Sequence, residues 1–132
     1  MAETVRIGVI GAGGWSIARL LPNFQKLPGV ELVSVANRRR ATAAKVAEKF
    51  NIPTVAADFH EVIADPNVDA VFIGTPPYSH REMTLAALDA GKHVLCQTRI
   101  SNTAAEARDM AAAADAAAAR GIKTALVPPG PF

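Results

Sequence analysis

Cysteine is almost missing from this chain: Cys96 is the only one in 132 residues. A single thiol excludes an internal disulfide framework and suits a reducing compartment, so a cytoplasmic location is expected. Aromatic residues are scarce as well, with one Trp and one Tyr. No basic run is interleaved with aromatics, which leaves nothing to track and stack a nucleic acid. Charge of either sign is not in excess, because 14 Lys and Arg face 12 Asp and Glu for a net charge of +2. Long hydrophobic runs are also lacking, and no stretch approaches the ~20 apolar residues of a membrane span. Neither a nucleic acid nor a membrane is therefore expected as a partner. The first apolar run starts within a few residues of Met1, which predicts that no signal peptide precedes the fold. The three histidines, His60, His80 and His93, are scattered along the chain, so no metal site is expected.

What is present points to one folded domain. Half of the residues are hydrophobic and a fifth are charged, enough apolar content for a core and too little charge for disorder. Short β-branched runs at 5–10, 31–36, 70–73, 93–96 and 123–127, with a weaker one near 54–56, alternate with helical patterns at 15–27, 39–50, 59–64, 79–90 and 103–120. Nearly continuous apolar strands, each followed by a helix, predict a parallel sheet covered on both faces. With right-handed crossovers the fold class is α/β, a three-layer doubly wound sheet of about six strands. Gly91 and Gly121 stand where helices should stop, and Asp58 and Asn102 where N-caps are wanted. Pro22 should kink the first helix or start a second segment. Cys96 falls in a core strand, where it reads as a small hydrophobe. The domain is expected over residues 1–127. The proline-rich tail 128–132 cannot continue a central strand, because prolines lack the N–H donor.

The most informative stretch is Gly11-Ala12-Gly13-Gly14-Trp15-Ser16. It follows the first strand and opens the first helix, the context that turns a glycine-rich string into a dinucleotide site. Gly11 allows the tight turn, Gly13 lets the backbone approach a pyrophosphate, and the helix start offers free N–H groups to that anion. Gly14 and Trp15 complete the turn. The third small position is Ser16 rather than glycine, which still permits close helix–strand packing.

About twenty residues past such glycines, an acidic residue ordinarily holds the ribose 2′-hydroxyl of NAD. Here the second strand runs instead into Asn37-Arg38-Arg39-Arg40. A guanidinium pairs with phosphate in a bidentate fashion and stacks on adenine. The expected cofactor is therefore NADP, with NAD as the alternative; Arg38 is the first choice for the 2′-phosphate and Arg39 the second. The fourth strand leads into Gly74-Thr75-Pro76-Pro77-Tyr78-Ser79-His80, and ligands of open α/β sheets sit beyond the carboxyl ends of the strands. Pro76 and Pro77 should stiffen this loop, and Thr75 could hydrogen-bond a ribose or a phosphate. His80, at the start of the next helix, is either a cofactor contact or a structural hydrogen-bonder.

Three segments together, Ile7 to Gly14, Gly74 to His80 and Ala90-Gly91-Lys92-His93-Val94-Leu95-Cys96, resemble the N-terminal domain of the glucose–fructose oxidoreductase / inositol dehydrogenase (Gfo/Idh/MocA) family. The resemblance implies a Rossmann domain that binds NAD or NADP. It also implies an oxidoreductase that moves hydride to or from a sugar, polyol or related carbonyl/alcohol substrate. Family members usually follow the fifth strand with Glu-Lys-Pro, whose lysine assists proton transfer. This chain has Gln97-Thr98-Arg99 there, as in a subfamily lacking that motif. The resemblance gives Gln97 a contact to the nicotinamide ribose. Thr98 stands in the lysine position and cannot act as an ammonium acid. Arg99 is the weak catalytic candidate, too basic for proton transfer at neutral pH but able to hold an anion. The resemblance also implies a second domain for substrate contacts, so this stretch alone is expected to bind cofactor and turn over poorly. Three readings follow from the sequence: the cofactor domain of an oxidoreductase, a non-catalytic NADP-binding module such as a redox sensor or partner subunit, and an S-adenosylmethionine site, against which the second and third segments argue. An uncovered apolar face would favour a homo-oligomer.

Overall fold

The computed structural model describes residues 3–14 and 16–127; Trp15 and the 128–132 tail lie outside the described residues. Its six strands are β1 (Val5–Ile10), β2 (Val30–Ala36), β3 (Thr54–Val55), β4 (Ala70–Ile73), β5 (His93–Gln97) and β6 (Thr124–Val127), in the spatial order β3-β2-β1-β4-β5-β6. All pair in parallel. The α-helices among the described residues are α1 (Leu21–Lys26), α2 (Arg40–Phe50), α3 (Phe59–Ala64), α4 (His80–Asp89) and α5 (Ala104–Ala118). This is the Rossmann arrangement, with the chain leaving β1 in one direction and returning at β4 to build the sheet in the other.

The apolar strand runs are explained by burial on both faces. Neighbouring residues Val9 and Ile10, Val35 and Ala36, and Phe72 and Ile73 fall into two separate core layers. One layer packs Val62, Ile63, Ala87 and Leu88 from α3 and α4; the other packs Leu21, Phe24, Val46 and Phe50 from α1 and α2. Phe24 meets Phe72 edge-on at 6.1 Å between ring centroids. Cys96 is buried in the first layer, as a strand residue with a small apolar side chain should be.

Helix boundaries follow local chemistry. Pro22 begins a second segment rather than kinking one helix. A π-helical turn over Ser16–Leu20 comes first, and α1 starts with the proline in its first turn, where a missing N–H costs nothing. A short 3₁₀ turn, Pro77–Ser79, precedes α4. Gly91 and Gly121 adopt φ of +80° and +81° and close α4 and α5. Asp58 caps α3 by accepting from the Glu61 amide at 3.1 Å. The cap of α5 is Thr103 rather than Asn102: its hydroxyl accepts from the Glu106 amide at 3.1 Å. The Thr103-to-Glu106 spacing is that of a capping box, offset by one residue from the expected position.

Candidate functional site

Register aligns three strand ends. Ile10 of β1 lies opposite Ala36 of β2 and Ile73 of β4, so the next residues, Gly11, Asn37 and Gly74, emerge at one level. The Gly11 amide donates to Ala36 at 2.9 Å and the Gly74 amide to Ile10 at 2.8 Å. Beyond this level opens a cleft of about 410 Å³, walled by Gly11, Asn37, Arg38, Thr75, Pro76 and Tyr78, with Asp58, Phe59 and Met83 among the other lining residues. It sits at the switch point between β1 and β4, on the carboxyl side of the sheet, where open α/β sheets bind ligands.

The glycines of the turn differ in what they do. Gly11 has φ of +82°, and a Cβ there would stand 2.5 Å from Thr75 Cγ2 and 2.8 Å from the Thr75 amide nitrogen. Only glycine fits. Gly74 makes the reciprocal approach, since a Cβ on it would meet the Gly11 carbonyl oxygen at 2.6 Å. Gly13 and Gly14 are exposed, and among the described residues other than their chain neighbours nothing lies within 4 Å of where their Cβ would be. Space kept open over exposed backbone is what a pyrophosphate needs. Ser16 is buried at 2% exposure, so it serves the helix–strand packing expected of the third small position. Trp15 lies outside the described residues.

Asn37 is occupied by the protein itself. Its Oδ1 accepts from the Ala12 amide at 2.7 Å, and its Nδ2 donates to the Ala12 carbonyl at 3.3 Å and to Thr42 Oγ1 at 3.1 Å. The side chain therefore straps the glycine turn to the end of β2. Arg38 is exposed and lines the cleft. Arg39 is exposed at the N-cap of α2, where its carbonyl accepts from the Thr42 hydroxyl at 2.9 Å.

On the other wall, Pro76 and Tyr78 are exposed and Pro77 opens the 3₁₀ turn. Ser79 Oγ lies 2.7 Å from Thr75 Oγ1 and 2.8 Å from the Pro76 carbonyl oxygen, which ties the loop to the start of α4. His80 does not line the cleft. It is 1% exposed, and its ring nitrogens face the carbonyl oxygens of Thr75 and Ile100. Of the two sequence expectations for it, the geometry is that of the hydrogen-bonder behind the wall. Beyond β5, Gln97 and Thr98 are half-buried and Arg99 is exposed. The Thr98 hydroxyl donates to the Val127 carbonyl, and the Thr98–Arg99 peptide is cis. None of these three lines the cleft just described.

Sequence reasoning missed Asp58, Phe59 and Met83. Asp58 and Phe59 follow β3, whose carboxyl end points the same way as the others, so the strand-end rule could have found them. Met83 reaches the cleft from the first turn of α4 and carries no sequence signal. Burial pushes the Cys96 thiol up to about 11. Among the described residues, no group of three or more His, Cys, Asp or Glu could hold a metal ion.

Comparison with known proteins agrees with this fold. The family model described as "Oxidoreductase family, NAD-binding Rossmann fold" matches residues 5–122. The chain is 37% identical over 113 residues to 1,5-anhydro-D-fructose reductase of Ensifer adhaerens, covering 83% of this chain and 32% of that protein. It is 35% identical over 106 residues to dTDP-3,4-didehydro-2,6-dideoxy-alpha-D-glucose 3-reductase of Saccharopolyspora spinosa, covering 80% of this chain and 32% of that one. Among solved structures, a 3-ketoreductase from Actinomadura kijaniata in complex with NADP and TDP-benzene superposes with a TM-score of 0.82 at 30% identity, over 91% of this chain and 36% of that chain. The chain spans about a third of the length of these relatives.

Proposed function

Because this chain belongs to the Gfo/Idh/MocA oxidoreductase family, we propose that it binds NADP in the β1–β4 cleft as the cofactor domain of a sugar- or polyol-type oxidoreductase. The observation that carries the reading is the open backbone at Gly13 and Gly14, beside a cleft lined by Arg38 with no carboxylate at the end of β2. The pyrophosphate would lie over Gly13 and Gly14. Arg38 would pair with the 2′-phosphate, and Arg39 is close in sequence but caps α2. Asn37 keeps the turn in place and carries no charge to repel a phosphate. Thr75, Pro76 and Pro77 would flank the nicotinamide end on one side and Gln97 on the other. When bound, the nicotinamide ring supplies the hydride chemistry, while the protein supplies position and electrostatics. The substrate class follows the relatives, two of which are named as reductases of sugar derivatives.

The lysine position of the family is Thr98, whose hydroxyl is engaged by Val127. Among the described residues of this loop, Arg99 is the charged side chain, and a guanidinium has donors but no acceptor to take up a proton. These 132 residues by themselves are therefore expected to bind cofactor and turn over poorly. The same observation at Thr98 favours a second reading, a non-catalytic NADP-binding module.

The test is a parallel titration with NADPH and NADH, read by tryptophan fluorescence, since Trp15 is the chain's single tryptophan. Binding of NADPH much tighter than NADH supports both the site and Arg38. Equal binding keeps the site and removes the 2′-phosphate role. No binding by folded chain overturns the proposal. Thr98→Lys in a chain joined to a candidate substrate domain separates the two readings, because only an enzyme gains turnover.

A further inference from the structure

A chain of contacts runs behind the cleft, and His80 is its middle member. On one side, the Thr75 segment is locked against the glycine turn by the close approach of Gly11 and Gly74. On the other, the segment from Gln97 to Ile100 is held to β6 through Thr98 and Val127. His80 stands between the two. Its Nε2 lies 2.6 Å from the Thr75 carbonyl oxygen and its Nδ1 lies 3.1 Å from that of Ile100. Both oxygens only accept, so each contact needs an N–H from the ring. A neutral ring supplies one, and which loop receives it depends on the tautomer. A hydrophobe of similar size would fill the same volume without aiming polar atoms at two loops.

We infer that His80 is a positioning residue that couples the loop beyond β4 to the loop beyond β5, so that the two present one fixed surface to the nicotinamide half of the cofactor. This rests on the dinucleotide reading above. At 1% exposure the ring touches no ligand. Its influence passes through the Thr75 and Ile100 backbones, and it falls most on the half of the ligand that both loops would face. The adenine and pyrophosphate half is set by Asn37, Arg38 and the glycine turn, which His80 does not contact.

The experiment compares NADPH with 2′-phospho-ADP-ribose, which keeps the adenine, 2′-phosphate and pyrophosphate and lacks the nicotinamide. Both are titrated calorimetrically into the wild-type chain, His80→Gln and His80→Phe. Loss of one loop-ordering hydrogen bond predicts NADPH affinity down about tenfold in His80→Phe, with the truncated ligand changed by less than about twofold. His80→Gln keeps an N–H donor and should lie between. A merely structural role would lower both ligands together, and that result overturns the inference, as does no change in either. If His80→Phe does not fold, His80→Gln is judged by the same ratio. A wild-type chain that gains no affinity from the nicotinamide half also overturns the inference. Wild type binding neither ligand is a different failure, that of the dinucleotide reading itself.

Discussion

At the scale of single residues, the glycine turn separates folding from binding. Gly11 cannot accept a side chain, because a left-handed φ costs an L-residue about 1–2 kcal/mol and the added Cβ would also overlap the Thr75 backbone. Gly11→Ala is therefore expected to destabilise the chain by about 2 kcal/mol or more, seen as a lowered urea midpoint. Gly13 has no such neighbour and no positive φ, so Gly13→Ala should leave the midpoint within about 0.5 kcal/mol of wild type. Its methyl would instead fill the space the proposed pyrophosphate would take, and dinucleotide affinity should fall at least about tenfold. If both variants lose stability, or Gly13→Ala binds normally, the open backbone is not a ligand surface. Asn37 has the opposite character. In Asn37→Asp the contact from the Ala12 amide survives, but the donations to the Ala12 carbonyl and Thr42 are lost. A carboxylate also arrives beside Arg38 and the expected 2′-phosphate. The variant should lose about 1 kcal/mol of stability, and the ratio of NADH to NADPH affinity should rise about tenfold, measured in paired titrations.

At the scale of elements, β5 carries a buried thiol that makes part of the stability depend on pH. The folded chain holds the Cys96 thiol up to about 11, against an ordinary value of 9.0, because burial disfavours the thiolate. The folded state thus binds a proton that the unfolded chain releases earlier as pH rises. The contribution of Cys96 is fully present below pH 9 and is lost as pH climbs toward 11, an effect of about 3 kcal/mol for that shift. Cys96→Ala should cost stability at neutral pH through its cavity, yet lose less between pH 9 and 11 than wild type does. Parallel slopes for the two proteins in urea melts across that window would contradict the burial argument. Most elements of this kind were legible in the sequence, since strands buried on both faces leave unbroken apolar runs and helix ends leave glycines such as Gly91 and Gly121. The exceptions have local causes. The α5 cap moved to Thr103 because two neighbouring polar residues compete for one position, and only the spacing to Glu106 decides. Asn37 was legible as a missing acid, but its strap to Ala12 depends on the register of β1 and β2, which no single segment encodes. His80 gave two readings until the Ile100 carbonyl, distant in sequence, was placed against it.

At the scale of the whole molecule, the cleft draws on both halves of the sheet. Arg38 and Asp58 come from the β2 and β3 side, Thr75, Pro76 and Met83 from the β4 side, and Gly11 from the strand between them. A ligand seated there bears on both halves, so its binding energy should appear as one cooperative shift in melting rather than as protection of one part. A ligand that binds only the native state adds about 2.7 kcal/mol at a hundred times its dissociation constant, which for a domain of this size raises the melting temperature by several degrees. NADP should produce this shift at lower concentration than NAD. On the proposed reading the difference rests on an exposed guanidinium facing a phosphate, and screening weakens such a pair as ionic strength rises toward 1 M. The advantage of NADP over NAD should therefore shrink with salt, while the shift common to both, which comes from backbone amides and packing, persists. Calorimetric melts at low and high salt with each cofactor read both quantities at once. A preference that stays constant with salt would place the discrimination in shape rather than in the charge of Arg38. A transition that splits in two on binding would mean that the halves of the sheet are not one cooperative unit.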